Sequence, residues 1–307
     1  MNAAARDTSP ATRPDAGAVQ GMLRRLARGT GAPWLHAEIA RRMAEKLELI
    51  KREPAVVADW WGFLGGGAVH LAQRYPKAQR VVVEPSEALR ARSLEQGRQP
   101  WWSPRRWRSS ATEVRLDAIQ PGSAQLLWAN MMLHWVDDVP SLFAEWQRSL
   151  AVDGFVMFST FGPDTLKELR ALYAQLGWPQ PAQAFVDMHD IGDQLVHAGF
   201  ADPVMDMEQL TLSWPEPQAL LAELRGLGSN LSAARGTGLR TPRWRARLEQ
   251  ELQSLAGADG RLSLSFEIVY GHAFKPAPRP RIEGETKVSL EDMRSMVRSR
   301  RGGGEGS

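Results

Sequence analysis

At 307 residues, 43% of them apolar, the chain is long enough to bury a large core, as one domain with an insertion or as two small ones. It has no cysteine, which excludes disulfides, thiolate nucleophiles and thiolate metal sites, and its net charge of +3 is too small to imply nucleic acid by itself. No apolar run approaches the roughly 18 residues of a membrane span, and the first residues lack the apolar stretch of a secretory signal, so the cytoplasm is the expected location.

Residues 1–32 read as a largely disordered tail, opening with the Ala-, Ser- and Arg-rich MNAAARDTSPATRPDAG. Over 33–51, Leu35, Ile39, Met43, Leu47 and Ile50 fall at helical spacing and predict an amphipathic helix laid against a sheet. Val56, Val57 and Ala58 follow Pro54 as a short apolar run suited to a strand buried on both faces, ended by Asp59. Gly62, Gly65, Gly66 and Gly67 come next, where a backbone can turn sharply and approach a ligand closely. A helix is predicted over 68–74, stopped at Pro76, and the next apolar run, 81–83, ends on Glu84. An acid at a strand tip about 20 residues past a glycine turn suits a ribose diol, whose hydroxyls donate to a carboxylate. The alternative is a βαβ unit with a glycine-rich turn and no ligand. The spacing is not G-x-G-x-x-G and no G-K-S/T follows, so a pyrophosphate cradle is poorly supported.

The block 56–86, VVADWWGFLGGGAVHLAQRYPKAQRVVVEPS, resembles the first motif of S-adenosylmethionine-dependent methyltransferases, an acid followed by alternating glycines. The resemblance implies S-adenosylmethionine as cofactor, with Asp59, Gly62, Gly65 and Glu84 in its site. Counted from Asp59, the first two glycines of that pattern fall at Trp61 and Phe63, and Gly65 is in register. Bulky side chains there obstruct the methionine end of the cofactor unless the turn shifts by a residue or two.

A helix is predicted over 88–96. Residues 98–110 (RQPWWSPRRWRSS) interleave Trp101, Trp102 and Trp107 with four arginines, a pattern open to three readings: packed tryptophans under solvated arginines, a grip on single-stranded nucleic acid, or a docking surface for an acidic partner. Packing is favoured, because one short patch is a small footprint for nucleic acid. Glu113 falls near the expected end of a third strand, where an acid in the resembling family meets the adenine amino group; Asp117 is its rival. After Pro121-Gly122-Ser123 the run 124–129 (AQLLWA) is the fourth strand, and Asn130 stands at its carboxyl end, where open parallel sheets place ligands.

Residues 130–170, NMMLHWVDDVPSLFAEWQRSLAVDGFVMFSTFGPDTLKELR, resemble the malonyl-acyl-carrier-protein O-methyltransferases of biotin synthesis, FSTFGPDTLKELR most distinctively. The likeness continues through MHDIGDQLVHAGF (188–200), LRGLGSN (224–230) and LSLSFEIVYGHAF (262–274), and so covers roughly 33–275. It implies a Rossmann-like α/β class I methyltransferase with a mostly parallel seven-stranded sheet, an antiparallel strand and a helical lid. The residues agree: 191–198 is a helix stopped by Gly199, 204–212 a sixth strand, 262–270 an alternating antiparallel strand, and 215–258 an arginine-rich helical insertion placed to cover the carboxyl edge. The methyltransferase domain is then 33–275, and 276–307 a Pro- and charge-rich disordered tail with a short helix near 290–298.

The implied substrate is malonyl thioester on an acidic acyl-carrier protein, methylated on its free carboxylate, with neither membrane nor nucleic acid as partner. His134 and Trp135 at a strand tip are candidates for the acceptor pocket, and Arg225 on the lid for pairing with a carboxylate, against packed-ring and solvated-charge alternatives. His189, Asp190, Asp193 and His197 resemble a metal cluster, but the histidines lie two turns apart, so caps and surface contacts are the expectation. A carboxylate is already a nucleophile at neutral pH, so no catalytic acid or base is named. Two other functions stay open: methylation of a different small acceptor, and a methyltransferase-fold binding or regulatory protein without turnover.

Overall fold

The computed structural model describes residues 13–97, 112–116, 118–236, 238, 240–278, 291 and 294. The whole 98–110 patch, Asp117 and most of the predicted 290–298 helix therefore lie outside the described residues. The chain divides into two units, 1–276 and 277–307, and the whole sheet belongs to the first.

Five strands run parallel: β1 (Val56–Trp60), β2 (Gln79–Glu84), β3 (Thr112–Leu116), β4 (Ala124–Ala129) and β5 (Leu150–Phe161). Two more, β6 (Ala201–Trp214) and β7 (Leu262–Phe274), add antiparallel, giving seven strands in the order β3-β2-β1-β4-β5-β7-β6. The fold is the α/β class expected, with its parallel tips on one edge. β6 extends past both of its predicted ends, because it alternates half-buried and exposed residues along its length and gives no clean apolar boundary, while β7 starts at Leu262 as expected and runs on to Phe274.

Each face of the sheet carries its own core, and the period of two divides the residues between them. Ala58 and Trp60 of β1 pack with Leu23 of α1 (Ala16–Leu26), Leu89 of α5 (Glu87–Gly97), Phe143 and Trp146 of α6 (Val139–Ser149), and Ile191 and Leu195 of α8 (Met188–His197). Val57 faces the other way, with Leu35, Ile39 and Met43 of α2 (Trp34–Lys46), Leu71 of α4 (Ala68–Arg74), Leu172 of α7 (Lys167–Gln175), Leu220 of α9 (Pro217–Leu227) and Leu252 of α10 (Pro242–Gln253). Local signals set the ends. Asp138 accepts the Ser141 N–H at 3.1 Å to start α6, Asp187 accepts from His189 N–H to start α8, and Gly199, at φ +90°, stops α8 as the sequence reading expected.

The first helix, α1, occupies part of the segment read as a tail. Val19, Met22 and Leu23 form a buried stripe at i, i+3, i+4, too short a period to stand out beside the Ala- and Ser-rich residues before it. The Asp15 carboxylate caps α1 on Ala18 N–H at 2.7 Å and pairs with Arg235 at 3.2 Å, while the Asp15 N–H donates to Leu231 O. Arg25 donates to Ser229 Oγ and to the carbonyls of Arg225 and Gly228.

Where β7 crosses β5, Gly271 lies opposite Phe158, and a Cβ there would run into that ring and approach Met205 Sδ at 3.0 Å. Gly271→Ala is expected to destabilise the protein by about 2–3 kcal/mol through overpacking, read as a lowered urea midpoint with unchanged slope.

Candidate active site

The turn after β1 decides what the sheet edge can hold. Trp61 sits in the left-handed region at φ 55°, ψ 43°, and its N–H donates to Val83 O at 2.6 Å. A short helical turn, α3 (Gly62–Gly65), follows and ends on Gly66, also left-handed. Glycine at 62 is a steric need, because a Cβ would lie 2.8 Å from Asp59 Oδ2 and 2.9 Å from Val82. Gly65 lies close over the β4 tip, its carbonyl accepting from Asn130 Nδ2 at 2.6 Å.

Glu84 ends β2 with no exposed surface. Its Oε1 accepts the Phe63 N–H at 2.8 Å and the Ser93 hydroxyl at 2.6 Å, and its Oε2 is buried without a partner. Burial, helped by the neighbouring Asp59 carboxylate, pushes Glu84 up to about 7, although both hydrogen bonds oppose the shift. Asp59 is fully buried and raised by desolvation, which its Arg80 partner, at 2.7 Å, only partly offsets. Asp59 is thus committed to an ion pair inside the sheet.

Asn130 is equally committed. Its amide donates to His36 O and Gly65 O and accepts from Ser159 Oγ at 2.6 Å, so it ties α2, the turn and β5 together. Its place at the β4 tip is as expected; its polar atoms face inward. Glu113 is not at a tip. It pairs in register with Val81, three residues short of the Glu84 level, about 10 Å from the edge where ligands bind, and its half-exposed carboxylate holds Arg115 at 2.7 Å. The expectation of an adenine contact at Glu113 is therefore corrected. In the edge strand β3 only Val114 and Leu116 mark the apolar rhythm, which left its register unreadable.

Beyond Asn130 a 3-10 turn, Leu133–Trp135, rises over the β4 and β5 tips. Trp135 is buried, its ring 6.1 Å from Trp61, 5.4 Å from His36 and 4.9 Å from His134. The four rings run without a break from the β1 turn to a cleft with about 80 Å³ of free internal volume at the β4 and β5 tips, where His134, Thr160, Phe161, Phe185, Ile191 and Gln194 are among the lining residues. His134 Nδ1 lies 3.3 Å from Thr160 Oγ1, and burial, aided by nearby His36, holds its pKa well below the ordinary value. Gln183, which the sequence reading passed over, bridges this turn to residue 231 by donating to His134 O and accepting from Leu231 N–H. Arg225 is not brought to the cleft. Its side chain is exposed in the last turn of α9 and its carbonyl takes Arg25.

A nucleoside cofactor at the strand tips asks for a buried acceptor facing its ribose hydroxyls, and the unpartnered Oε2 of Glu84 supplies that chemistry. The turn is drawn shut around it: Phe63 is 2% exposed and Trp61 9%, and no residue lining the cleft belongs to β1, β2 or the turn between them.

A family profile described as a methyltransferase domain matches residues 62–158. The YcgJ protein of Bacillus subtilis shares the fold, with a TM-score of 0.52 at 9% identity over 78% of this chain and 99% of that one. A malonyl-[acyl-carrier protein] O-methyltransferase from Gallionella capsiferriformans is 40% identical over 255 residues, 81% of this chain and 87% of the relative. One from Laribacter hongkongensis is 40% identical over 268 residues, 86% of this chain and 88% of the relative. With identity of that order sustained over more than four-fifths of its length, the chain belongs to the malonyl-[acyl-carrier protein] O-methyltransferase family.

Proposed function

We propose that the chain is an S-adenosylmethionine-dependent O-methyltransferase that esterifies the free carboxylate of malonyl-acyl-carrier protein, a step of biotin synthesis, in the cytoplasm. What supports this most is identity to named relatives across nearly their whole length. When bound, S-adenosylmethionine supplies a methyl group on a positively charged sulfur. In this proposal Glu84 accepts the ribose hydroxyls through Oε2, Gly62 and Gly65 let the backbone approach, and Asp59 and Asn130 brace the turn from behind. His134 and Trp135 stand between that place and the cleft, where they position the acceptor. The substrate carboxylate is its own nucleophile, so the protein's work is to hold one oxygen about 3 Å from the methyl carbon, in line with the leaving sulfur, and to exclude water. Esterification removes a charge that an apolar fatty-acid synthesis pocket would reject.

For the carrier, an acidic surface is the proposed partner. Arg240, just before α10, lies 4.0 Å over the Trp244 ring and Arg247 of α10 5.4 Å over Trp178, a basic and aromatic face on the 215–258 insertion. No helix among the described residues is long and apolar enough to cross a membrane.

One observation favours a second reading. The closure of the turn by Trp61 and Phe63 would suit a methyltransferase-fold binding protein without turnover. Calorimetric titration with S-adenosylhomocysteine separates the two: measurable heat supports the enzyme, and none at high concentration supports the scaffold. Glu84→Ala is expected to weaken that binding at least tenfold, since hydrogen bonds to a charged group contribute about 2 kcal/mol. An unchanged affinity removes Glu84 from the site. Methyl incorporation into malonyl carrier protein but not into other small carboxylates then fixes the acceptor.

A further inference from the structure

His134 and Gln194 both line the cleft, and each has a buried polar atom without a hydrogen-bond partner: Nε2 of His134 and Oε1 of Gln194. They are chemically opposite. Thr160 Oγ1 stands beside His134 Nδ1, and a hydroxyl donating to that nitrogen leaves the ring proton on Nε2. Burial keeps this imidazole neutral, and with Thr160 donating to Nδ1 the Nε2–H is an uncharged donor without an acceptor. Gln194 Oε1 is an uncharged acceptor without a donor. Their walls are apolar, from Leu133, Phe161, Phe185 and Ile191. Charge is confined to Arg13, Asp137 and Asp138, all exposed, with Asp138 already capping α6 on Ser141 N–H.

An unpartnered donor and an unpartnered acceptor between apolar walls are the complement of a secondary amide, whose carbonyl accepts and whose N–H donates. A free carboxylate would offer His134 an acceptor but would leave Gln194 Oε1 facing a second oxygen, with two rim carboxylates nearby. We propose that this cleft binds a neutral amide-bearing chain, the pantetheine arm that carries the acyl thioester, with one amide carbonyl on His134 Nε2–H and its N–H on Gln194 Oε1. This rests on the acyl-carrier substrate proposed above and assigns the arm, rather than the carboxylate, to the cleft. Gln194 becomes a specificity residue, reading the arm and not the acid.

The test uses pantetheine itself, without malonyl group or cofactor, and the full chain. Saturation-transfer NMR is expected to show pantetheine bound to the natural protein, and Gln194→Leu, at a half-exposed helix position where folding is checked by circular dichroism, is expected to weaken it at least tenfold. Kinetically, Gln194→Leu is expected to raise KM for malonyl-pantetheine about tenfold relative to that for S-methyl malonyl thioester, which has no amide. No transfer to pantetheine at millimolar concentration, or equal affinity in the folded variant, overturns the proposal. If methyl transfer occurs and the KM ratio does not move, the arm assignment fails while the enzymatic function stands. If pantetheine binds through Gln194 and no methyl is transferred, the arm site stands and the function fails.

Discussion

Trp61→Gly is expected to bind S-adenosylhomocysteine at least tenfold more tightly than the natural chain, while losing about 1–4 kcal/mol of stability. The stability loss has two opposed parts. Emptying a buried indole costs about 3–5 kcal/mol, and releasing a bulky residue from the left-handed region at φ 55° returns about 1–2 kcal/mol. The affinity gain follows from what the ring touches. It lies against Trp135 on the path between the β2 tip and the cleft, so a nucleoside reaching Glu84 in the natural chain must displace it from its burial. The glycine variant has already given that burial up, and about 1.4 kcal/mol of it is a factor of ten in Kd. Calorimetry and urea melts on the same preparation give both numbers. A folded variant with unchanged affinity would show that the indole does not stand in the cofactor's way.

Glu84→Gln is the second large effect, and it concerns pH. The carboxyl of Glu84 is raised from 4.5 to about 7 in the folded protein. A raised acid binds its proton more tightly folded than unfolded, so its stabilising contribution is complete below pH 4.5 and is lost as pH climbs through 7. Over that window the loss is about 3 kcal/mol, with no solvent discount because the group has no exposed surface. Glutamine keeps an oxygen for the Phe63 N–H and the Ser93 hydroxyl and cannot ionise. The variant is therefore expected to match the natural protein near pH 4.5 and to exceed it by up to about 3 kcal/mol at pH 8. Urea midpoints at pH 5, 6, 7 and 8 would show the two curves diverging; parallel curves would mean that Glu84 is ionised throughout.

The parts legible in the sequence are those where burial on both faces leaves an uninterrupted apolar run. β1, β2 and β4 read that way, and with them Glu84 and Asn130 fell on their strand tips. Half-exposed strands do not write such runs, which is why β3 concealed the register of Glu113 and β6 its ends. Arg225 misled for another reason: a helix shows its period, but the face that a single arginine takes depends on what the helix docks against. Thr160 and Gln194 lie in FSTFGPDTLKELR and MHDIGDQLVHAGF, yet that both line one cleft depends on α8 packing through Ile191 into the same core as Phe158 of β5. The bulk at Trp61 and Phe63 was visible from residue type alone; the hydrogen bond from the Phe63 backbone to Glu84 was not.

The grip of Arg25 on residues 225 to 229, together with the clasp between Asp15 and residues 231 and 235, makes the amino-terminal helix and the insertion after α9 a single mechanical piece. Neither can swing away from the sheet edge without carrying the other. A fusion or tether that restrains residue 15 would restrain residues 231 and 235 as well.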